Sequence, residues 1–202
     1  MNLYDKHQPK SIDTMVLPSG LRKKLIELSN TTSIPNMIFH GRPGTGKSTV
    51  AKLLWSNHDV LRCDGFLTDS EFLNRARTMA SCRNLFDEGR RLIFLDELDC
   101  LKDPIQEKLR VLVDEYSFNA TFIGATNHIH RIIPALQSRM LPVCFDVEKG
   151  NVTLATEWRR YLREIFQMEI GTDPEDARLN LAMRRFPDAR QMVNTVIMGL
   201  TS

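Results

Sequence analysis

The chain has 202 residues, of which 42% are hydrophobic and 26% charged, and its formal net charge is +2. These values are typical of a globular protein with a sizeable core, and they exclude a broadly basic surface for nucleic acid. The sequence contains no apolar run of the roughly 18 residues that a membrane span requires, and its first residues lack the basic and apolar parts of a signal peptide. We therefore expect a cytoplasmic protein that makes no contact with a membrane.

Short apolar runs alternate with helical patterns up to about residue 147, which predicts βαβ units and a parallel sheet. The predicted strands lie at 36–40, 59–63, 92–96, 120–126 and 143–147. Beyond residue 148, apolar residues recur at helical spacing in three segments. The sequence therefore predicts an α/β domain over residues 1–148 and a small helical domain over residues 149–202.

The first predicted strand is followed by Gly-Arg-Pro-Gly-Thr-Gly-Lys-Ser at 41–48, which fits G-x-x-x-x-G-K-[ST] at every position. A predicted helix comes next, so the motif has the context that a phosphate-binding loop requires. Its glycines let successive N–H groups face a phosphate. We expect Lys47 to reach the outer phosphates and the Ser48 hydroxyl to bind Mg²⁺. The predicted nucleotide-binding residues are Gly41, Pro43, Gly44, Thr45, Gly46, Lys47, Ser48 and Thr49.

Polar side chains end two further predicted strands. Asp96 comes at the end of an apolar strand beside the phosphate loop, where a carboxylate can hold Mg²⁺ through water. Glu97 is then expected to polarise a water for attack on the γ-phosphate. Asn127 follows the strand at 120–126 and could hydrogen-bond the γ-phosphate or that water. A helix cap at Asp96, a solvated loop acid at Glu97 and a turn residue at Asn127 are the alternative interpretations.

These ordered motifs resemble those of AAA+ ATPases and, more narrowly, of the ATPase subunits of DNA-polymerase sliding-clamp loaders, especially the large subunit of phage clamp loaders. The resemblance extends over about residues 4–196. It implies a P-loop NTPase core with a five-stranded parallel sheet, a three-helix lid and hydrolysis of ATP with Mg²⁺. It also implies a sliding clamp, partner subunits in a ring and primer-template DNA as partners.

The resemblance implies roles for residues outside the phosphate loop. Leu-Gln-Ser-Arg at 136–139 matches the family's Ser-Arg-Cys box, so Arg139 would be an arginine finger directed at the ATP of a neighbouring subunit. The segment 187–190 resembles the second sensor, which implies that Arg190 contacts the γ-phosphate within its own subunit. Pro9 corresponds to a segment near the adenine.

Contacts with DNA are the least defined part of the resemblance. Gln106 and Arg110 lie where the family couples DNA contact to the catalytic sites, and their spacing of four residues predicts that they are within mutual reach. DNA phosphates in the family meet helix N-termini, which makes Thr68 and Lys102 candidate contacts. Ordinary helix caps are the alternative interpretation for both. Asp114, on the predicted helix that carries Gln106 and Arg110, could pair with an arginine of a neighbouring subunit.

Two departures from the family pattern affect these expectations. Gln8 stands where the family has an arginine near the adenine, and the sequence ends at Ser202 without the helical collar that holds the ring together. The assembled state is therefore open. Two other functions also remain open at this point: a different AAA+ replication ATPase, such as a helicase loader or initiator, and a ring subunit that binds ATP without hydrolysing it.

Overall fold

The computed structural model describes residues 3–31, 34–54, 58–62, 68–82, 91–148 and 150–199. Helices and strands alternate from α2 to β5, apart from two short 3₁₀ helices, and the described chain after β5 is helical. The strands are β1 (Met37–His40), β2 (His58–Arg62), β3 (Arg91–Asp96), β4 (Ala120–Thr126) and β5 (Leu141–Cys144). The helices are α1 (Leu3–Lys6), α2 (Ser19–Ser29), α3 (Lys47–Leu54), α4 (Asp69–Ser81), α5 (Asp103–Tyr116), α6 (Pro134–Gln137), α7 (Val152–Ile170), α8 (Asp176–Met183) and α9 (Ala189–Met198).

The five strands form one parallel sheet in the order β2-β3-β4-β1-β5. The predicted α/β fold class is therefore confirmed. Phe39 of β1 pairs with Ala125 of β4, and Leu95 of β3 pairs with Gly124 of β4. Because these registers bring the carboxyl ends of the three strands side by side, the loops that follow them converge on one edge of the sheet.

Both faces of the sheet are covered, which explains why β3 is apolar at successive positions. Leu92 and Phe94 are buried in one core cluster, formed with residues of α2 and α3. Ile93 and Leu95 are buried in a second cluster, formed with residues of α4 and α5. The strand is thus held rigidly between two layers, and so is the site at its end.

A third core cluster lies among α7, α8 and α9, where Leu162, Met192 and Val196 are buried. Tyr4 and Val16, from the start of the chain, pack against this cluster. The N-terminal segment is therefore attached to the helical part of the molecule. None of the helices in the described ranges combines the length and apolar character needed to cross a membrane.

The last strand begins and ends earlier than predicted, at Leu141–Cys144 instead of 143–147. β5 pairs only with β1, which is four residues long, so its ladder ends where β1 ends. Phe145 follows the strand and is buried in the core. Its amide still donates to the His40 carbonyl oxygen at 2.7 Å, so one backbone bond and a buried side chain extend the apolar signal past Cys144 and explain the shifted prediction.

Candidate nucleotide-binding site

A cleft of about 330 Å³ opens where the loops after β1, β3 and β4 converge. Its walls come from four parts of the chain: the N-terminal segment, the phosphate loop with α3, the ends of β3 and β4, and the start of α9. The lining residues are Tyr4, Asp5, Gln8, Pro43, Gly44, Thr45, Gly46, Lys47, Ser48, Thr49, Lys52, Phe94, Asp96, Glu97, Asn127 and Arg190. Most of the predicted site residues therefore lie in one cavity, although their roles remain predictions.

Lys47, the first residue of α3, is only 8% exposed. Its ammonium donates to the carbonyl oxygens of Gly41 at 2.6 Å and Arg42 at 2.8 Å, and to Asn127 Oδ1 at 2.9 Å. Burial lowers the pKa of Lys47, and neighbouring carboxylates, Asp146 first, oppose this shift. A buried cation surrounded by oxygen atoms is suited to a phosphate group.

The phosphate loop is in direct contact with the start of α9. Gly44 has φ +74° and Gly46 has φ +96°, a region that only glycine adopts without strain. The Ala189 amide donates to the Gly44 carbonyl oxygen at 3.0 Å. A Cβ atom on Gly44 would overlap the carboxylate of Asp188, which caps α9 by accepting from the Gln191 amide. Gly44 is therefore required by both its backbone conformation and its neighbour.

The start of the loop is held from behind the cleft. Asp146, two residues after β5, accepts a hydrogen bond from the Arg42 amide at 2.7 Å. Gly41 has φ +133°, and a Cβ atom there would lie 2.9 Å from the Asp146 amide nitrogen. Gly41 does not line the cleft. A glycine is required at this position because the backbone packs closely against Asp146. The sequence analysis missed Asp146, since no motif marks it.

Glu97 has an unusual backbone conformation at the end of β3. It adopts φ +58° and ψ +44°, and no other non-glycine residue of the described chain has a positive φ. The left-handed conformation costs about 1–2 kcal/mol for an ordinary residue. Strain of this kind is concentrated at functional sites, where the rest of the fold holds it. Here it directs the exposed carboxylate into the wall of the cleft beside Asp96.

The turn that carries Asn127 is oriented by its neighbours. The Thr126 hydroxyl donates to Asp99 Oδ1 at 2.8 Å and accepts from the His128 amide at 2.9 Å. These bonds tie the end of β4 to the segment after β3. Asn127 is thus aimed at Lys47 by contacts on both sides of it.

A small apolar pocket adjoins the cleft and shares Tyr4, Thr45, Gly46 and Thr49 with it. Pro9 lines this pocket, as do two aromatic residues of α7, Trp158 and Tyr161. Flat apolar walls next to a phosphate site are suited to a nucleobase. Gln8 lines the main cleft, where its amide donates to Asp5 Oδ1 at 2.9 Å.

Arg190, in the first turn of α9, reaches the cleft and is exposed. Its guanidinium carbon lies 5.6 Å from the centroid of the Tyr4 ring, which is within the range of a cation–π contact. The sequence analysis did not identify Tyr4. A single aromatic residue in a short polar segment carries no motif and no periodicity that could have revealed it.

Arg139 does not line the cleft of its own chain. It follows Ser138, the C-cap of α6, and its Nε atom donates to Asp114 Oδ2 at 3.3 Å. Its Nη1 atom donates to Ser138 Oγ at 2.8 Å. Asp114 also pairs with Arg110 at 3.4 Å. Asp114, which could pair with an arginine of a neighbouring subunit, therefore has two partners in its own chain.

Gln106 and Arg110, which are predicted to lie within mutual reach on one helix face, have different surroundings in the structure. Gln106 is fully buried, and its amide donates to the carbonyl oxygens of Leu101 at 2.9 Å and Arg131 at 3.0 Å. Its oxygen accepts from the Ile133 amide at 2.9 Å. Buried loop backbone must find hydrogen-bond partners, and Gln106 supplies three of them. Gln106 thus joins neighbouring loops through hydrogen bonds, whereas Arg110 forms ion pairs with Glu107 and Asp114 on the surface.

The two candidate DNA contacts differ in structure. Thr68 lines an open cavity of about 480 Å³ between the starts of α4 and α5, together with Pro104 and Lys108. Its hydroxyl and amide are engaged by Glu71 in a capping box, which favours the alternative interpretation for Thr68 as an ordinary cap. Lys102, at the N-cap of α5, makes no side-chain capping bond. The N-terminus of α5 is thus the better candidate for an anion.

Comparisons with known proteins give a consistent result. Residues 37–145 match the ATPase family associated with various cellular activities (AAA). Over 200 residues the chain is 30% identical to the sliding-clamp-loader large subunit of Enterobacteria phage T4, covering 95% of this chain and 62% of that protein. It is 28% identical over 207 residues to replication factor C subunit 5 of Homo sapiens, covering 94% of this chain and 59% of that protein.

Among solved structures, a RuvB structure from Thermotoga maritima is similar, with a TM-score of 0.71 and 20% identity. The match covers 95% of this chain and 63% of that one. At this identity the likeness concerns the fold alone. The chain spans less than two thirds of the length of each of these three relatives.

Proposed function

The chain belongs to the AAA ATPase family, and from that premise we propose that it is an ATPase subunit of a DNA-polymerase sliding-clamp loader. One structural observation carries the hydrolytic part: Lys47, Asp96, Glu97, Asn127 and Arg190 converge on one cleft. The clamp-loader part is supported by likeness to the clamp-loader and replication factor C subunits. The clamp, a ring of partner subunits and primer-template DNA are thus its proposed partners.

ATP would enter with its base toward Pro9 and its phosphates toward the N-terminus of α3. Lys47 would exchange its contacts to Gly41, Arg42 and Asn127 for phosphate oxygens. That exchange replaces neutral acceptors with charged ones, and charge-assisted hydrogen bonds are about twice as strong as neutral ones. The buried ammonium would therefore bind the nucleotide more tightly than its present partners.

Ser48 and Asp96 fit a magnesium ion, because a hydroxyl and a carboxylate oxygen line the same cleft and Mg²⁺ prefers oxygen ligands. Within the described ranges no group of three or more His, Cys, Asp or Glu could hold a metal alone. That agrees with the usual magnesium site, which combines one or two protein ligands with substrate phosphates. When bound, the ion would neutralise phosphate charge.

Glu97 would act as general base by accepting a proton from the attacking water, and Asn127 would orient that water or the γ-phosphate. The strained backbone of Glu97 supports this role, since it fixes the direction of the carboxylate. Arg190 would contact the γ-phosphate within the chain. Arg139 lies outside the cleft of its own chain, which supports its proposed role as a finger toward a neighbour's ATP.

The helical part would serve as a lid. We infer a division between residues 1–148 and 149–202, with the contact between Gly44 and Ala189 linking the two parts. DNA phosphates would meet the N-terminus of α5 beside Lys102, with Thr68 nearby. Gln106 would couple that contact to the loops that precede α6, since it bonds to them directly.

The test is the ATPase rate of the chain with its partner subunits as a sliding clamp and primed DNA are added, compared between wild type and Arg139→Ala. We expect stimulation that requires both additions. Loss of the finger should reduce it by about 10³–10⁵-fold. Arg163→Ala, which removes an exposed arginine of α7, is the matched control. A rate that responds to neither clamp nor DNA would exclude a clamp loader.

A further inference from the structure

Tyr4 occupies a central position between the two parts of the candidate site. Its side chain lines both the cleft with the phosphate loop and the apolar pocket beside it. It is partly buried, and burial raises the pKa of its hydroxyl. The ring is uncharged at neutral pH, and the Arg190 guanidinium lies over its face.

The segment that carries Tyr4 is attached to the lid. The Tyr161 hydroxyl of α7 donates to the His7 carbonyl oxygen at 2.6 Å. His7 Nε2 lies 2.8 Å from Glu169 Oε1, near the end of the same helix, and Lys6 pairs with the same carboxylate oxygen. The segment is thus fixed to α7 at two separate points.

Arg190 needs a partner where it stands. A cation in the first turn of a helix opposes the helix dipole, which is unfavourable. The Tyr4 ring face lies within cation–π distance of its guanidinium. The ring therefore offsets the unfavourable position and restricts where the guanidinium can go.

We propose that Tyr4 is a positioning residue of the nucleotide site, whose ring holds Arg190 at the phosphate end of the cleft and thereby favours ATP over ADP. The proposal rests on the proposed function, in which Arg190 contacts the γ-phosphate. An arginine held in place loses less conformational freedom when the γ-phosphate arrives. ADP lacks that phosphate, so the contribution of Tyr4 is absent from its binding.

The experiment measures the dissociation constants of ATP and ADP by calorimetry for wild type, Tyr4→Leu, Tyr4→Phe and Arg190→Ala. Tyr4→Leu should lower the preference for ATP over ADP about two- to fivefold, the size of an exposed cation–π contact. Tyr4→Phe keeps the ring and should keep the preference. Phe118→Leu, which alters an 86% exposed ring that does not line the cleft, is the control.

The double variant Tyr4→Leu with Arg190→Ala decides the mechanism. If Tyr4 acts through Arg190, its substitution has no further effect on the ATP preference once Arg190 is gone. A merely structural Tyr4 would weaken ATP and ADP binding equally, or would act equally in both backgrounds, and either result overturns the proposal. Tyr4→Gln supplies the same comparison if Tyr4→Leu does not fold. Wild type that binds neither nucleotide would instead refute the proposed function.

Discussion

The two sides of the cleft are built in different ways. The phosphate wall is formed by Lys47, Asp96 and Asn127, at the start of α3 and the ends of β3 and β4, and Lys47 has three hydrogen bonds. The lid wall is formed by Tyr4 and Arg190, which come from two separate segments of the chain. These side chains meet where the Arg190 guanidinium lies over the Tyr4 ring. The phosphate wall is therefore preorganised, whereas the geometry of the lid wall depends on how those segments pack. We expect chemistry to depend on the first and nucleotide preference on the second.

Of the two sides of the cleft, the phosphate side should show the larger effect, with Glu97→Gln. Removing the base should lower kcat by about 10²–10⁴-fold, because the attacking water keeps its proton. ATP affinity should be nearly unchanged, since the Lys47 contacts remain. Single-turnover hydrolysis in the assembled complex, together with calorimetry, measures both quantities.

Glu148→Gln is the matched control, since Glu148 is exposed and does not line the cleft. It should leave both quantities at wild-type values. A Glu97→Gln variant that loses affinity instead of rate would contradict the division between chemistry and binding.

The junction between the two walls is tested by Gly44→Ala. An alanine would be strained at φ +74° by about 1–2 kcal/mol, and its methyl group would displace Asp188. Loss of the hydrogen bond from Ala189 adds about 0.5–1.5 kcal/mol. We expect a lower free energy of unfolding in urea and weaker ATP binding.

Gly171→Ala separates strain from contact, because Gly171 has a similar φ of +81° and nothing within 4 Å of its Cβ position. It should show the strain alone and bind ATP normally. Equal effects of the two substitutions would mean that the contact between loop and lid contributes nothing.

The smallest effect concerns the attachment of the lid wall at Glu169. The hydrogen bond from Lys6 is the main cause that holds the pKa of Glu169 below its ordinary value of 4.5. A lowered folded pKa gives a contribution that is present above the ordinary pKa and is lost as pH falls through the lowered one. The hydrogen-exchange protection of residues 4–8 should therefore decline as the pH falls below 4.5 and through the lowered pKa of Glu169.

Glu169→Gln should start with weaker protection of that segment and show no further decline in the same window. Amides of β4, in the core, serve as the internal reference for both proteins. A variant that declines in parallel with wild type would assign the pH dependence to another group.

The phosphate wall was predictable because its residues are contiguous in motifs, and the neighbouring strands and helices fix where those motifs lie. Tyr4 and Asp146 were not, because each acts on a residue far away in the chain, Arg190 and Arg42. Such contacts depend on how segments pack, which local patterns do not encode.

Helical spacing gave no sign that Gln106 is buried, for a related reason. The spacing predicts which positions share a helix face, but not whether nearby loops need hydrogen bonds from that face. The bounds of β5 show the same limit, since the burial of Phe145 produced an apolar signal beyond the end of the ladder.

The shared carboxylate of Asp114 determines what it costs to release Arg139. Glu107, Arg110, Asp114 and Arg139 form a row of alternating charge on the surface, in which each inner member has two partners. If Arg139 turns toward a neighbour's phosphate as proposed, Asp114 keeps its ion pair with Arg110, so neither charge is left unpaired. Release should therefore break one exposed ion pair, which costs about 0.2–1 kcal/mol, and the hydrogen bond to Ser138 Oγ. The guanidinium can thus change partners quickly and reversibly, as the arginine finger that we propose would have to do in every cycle.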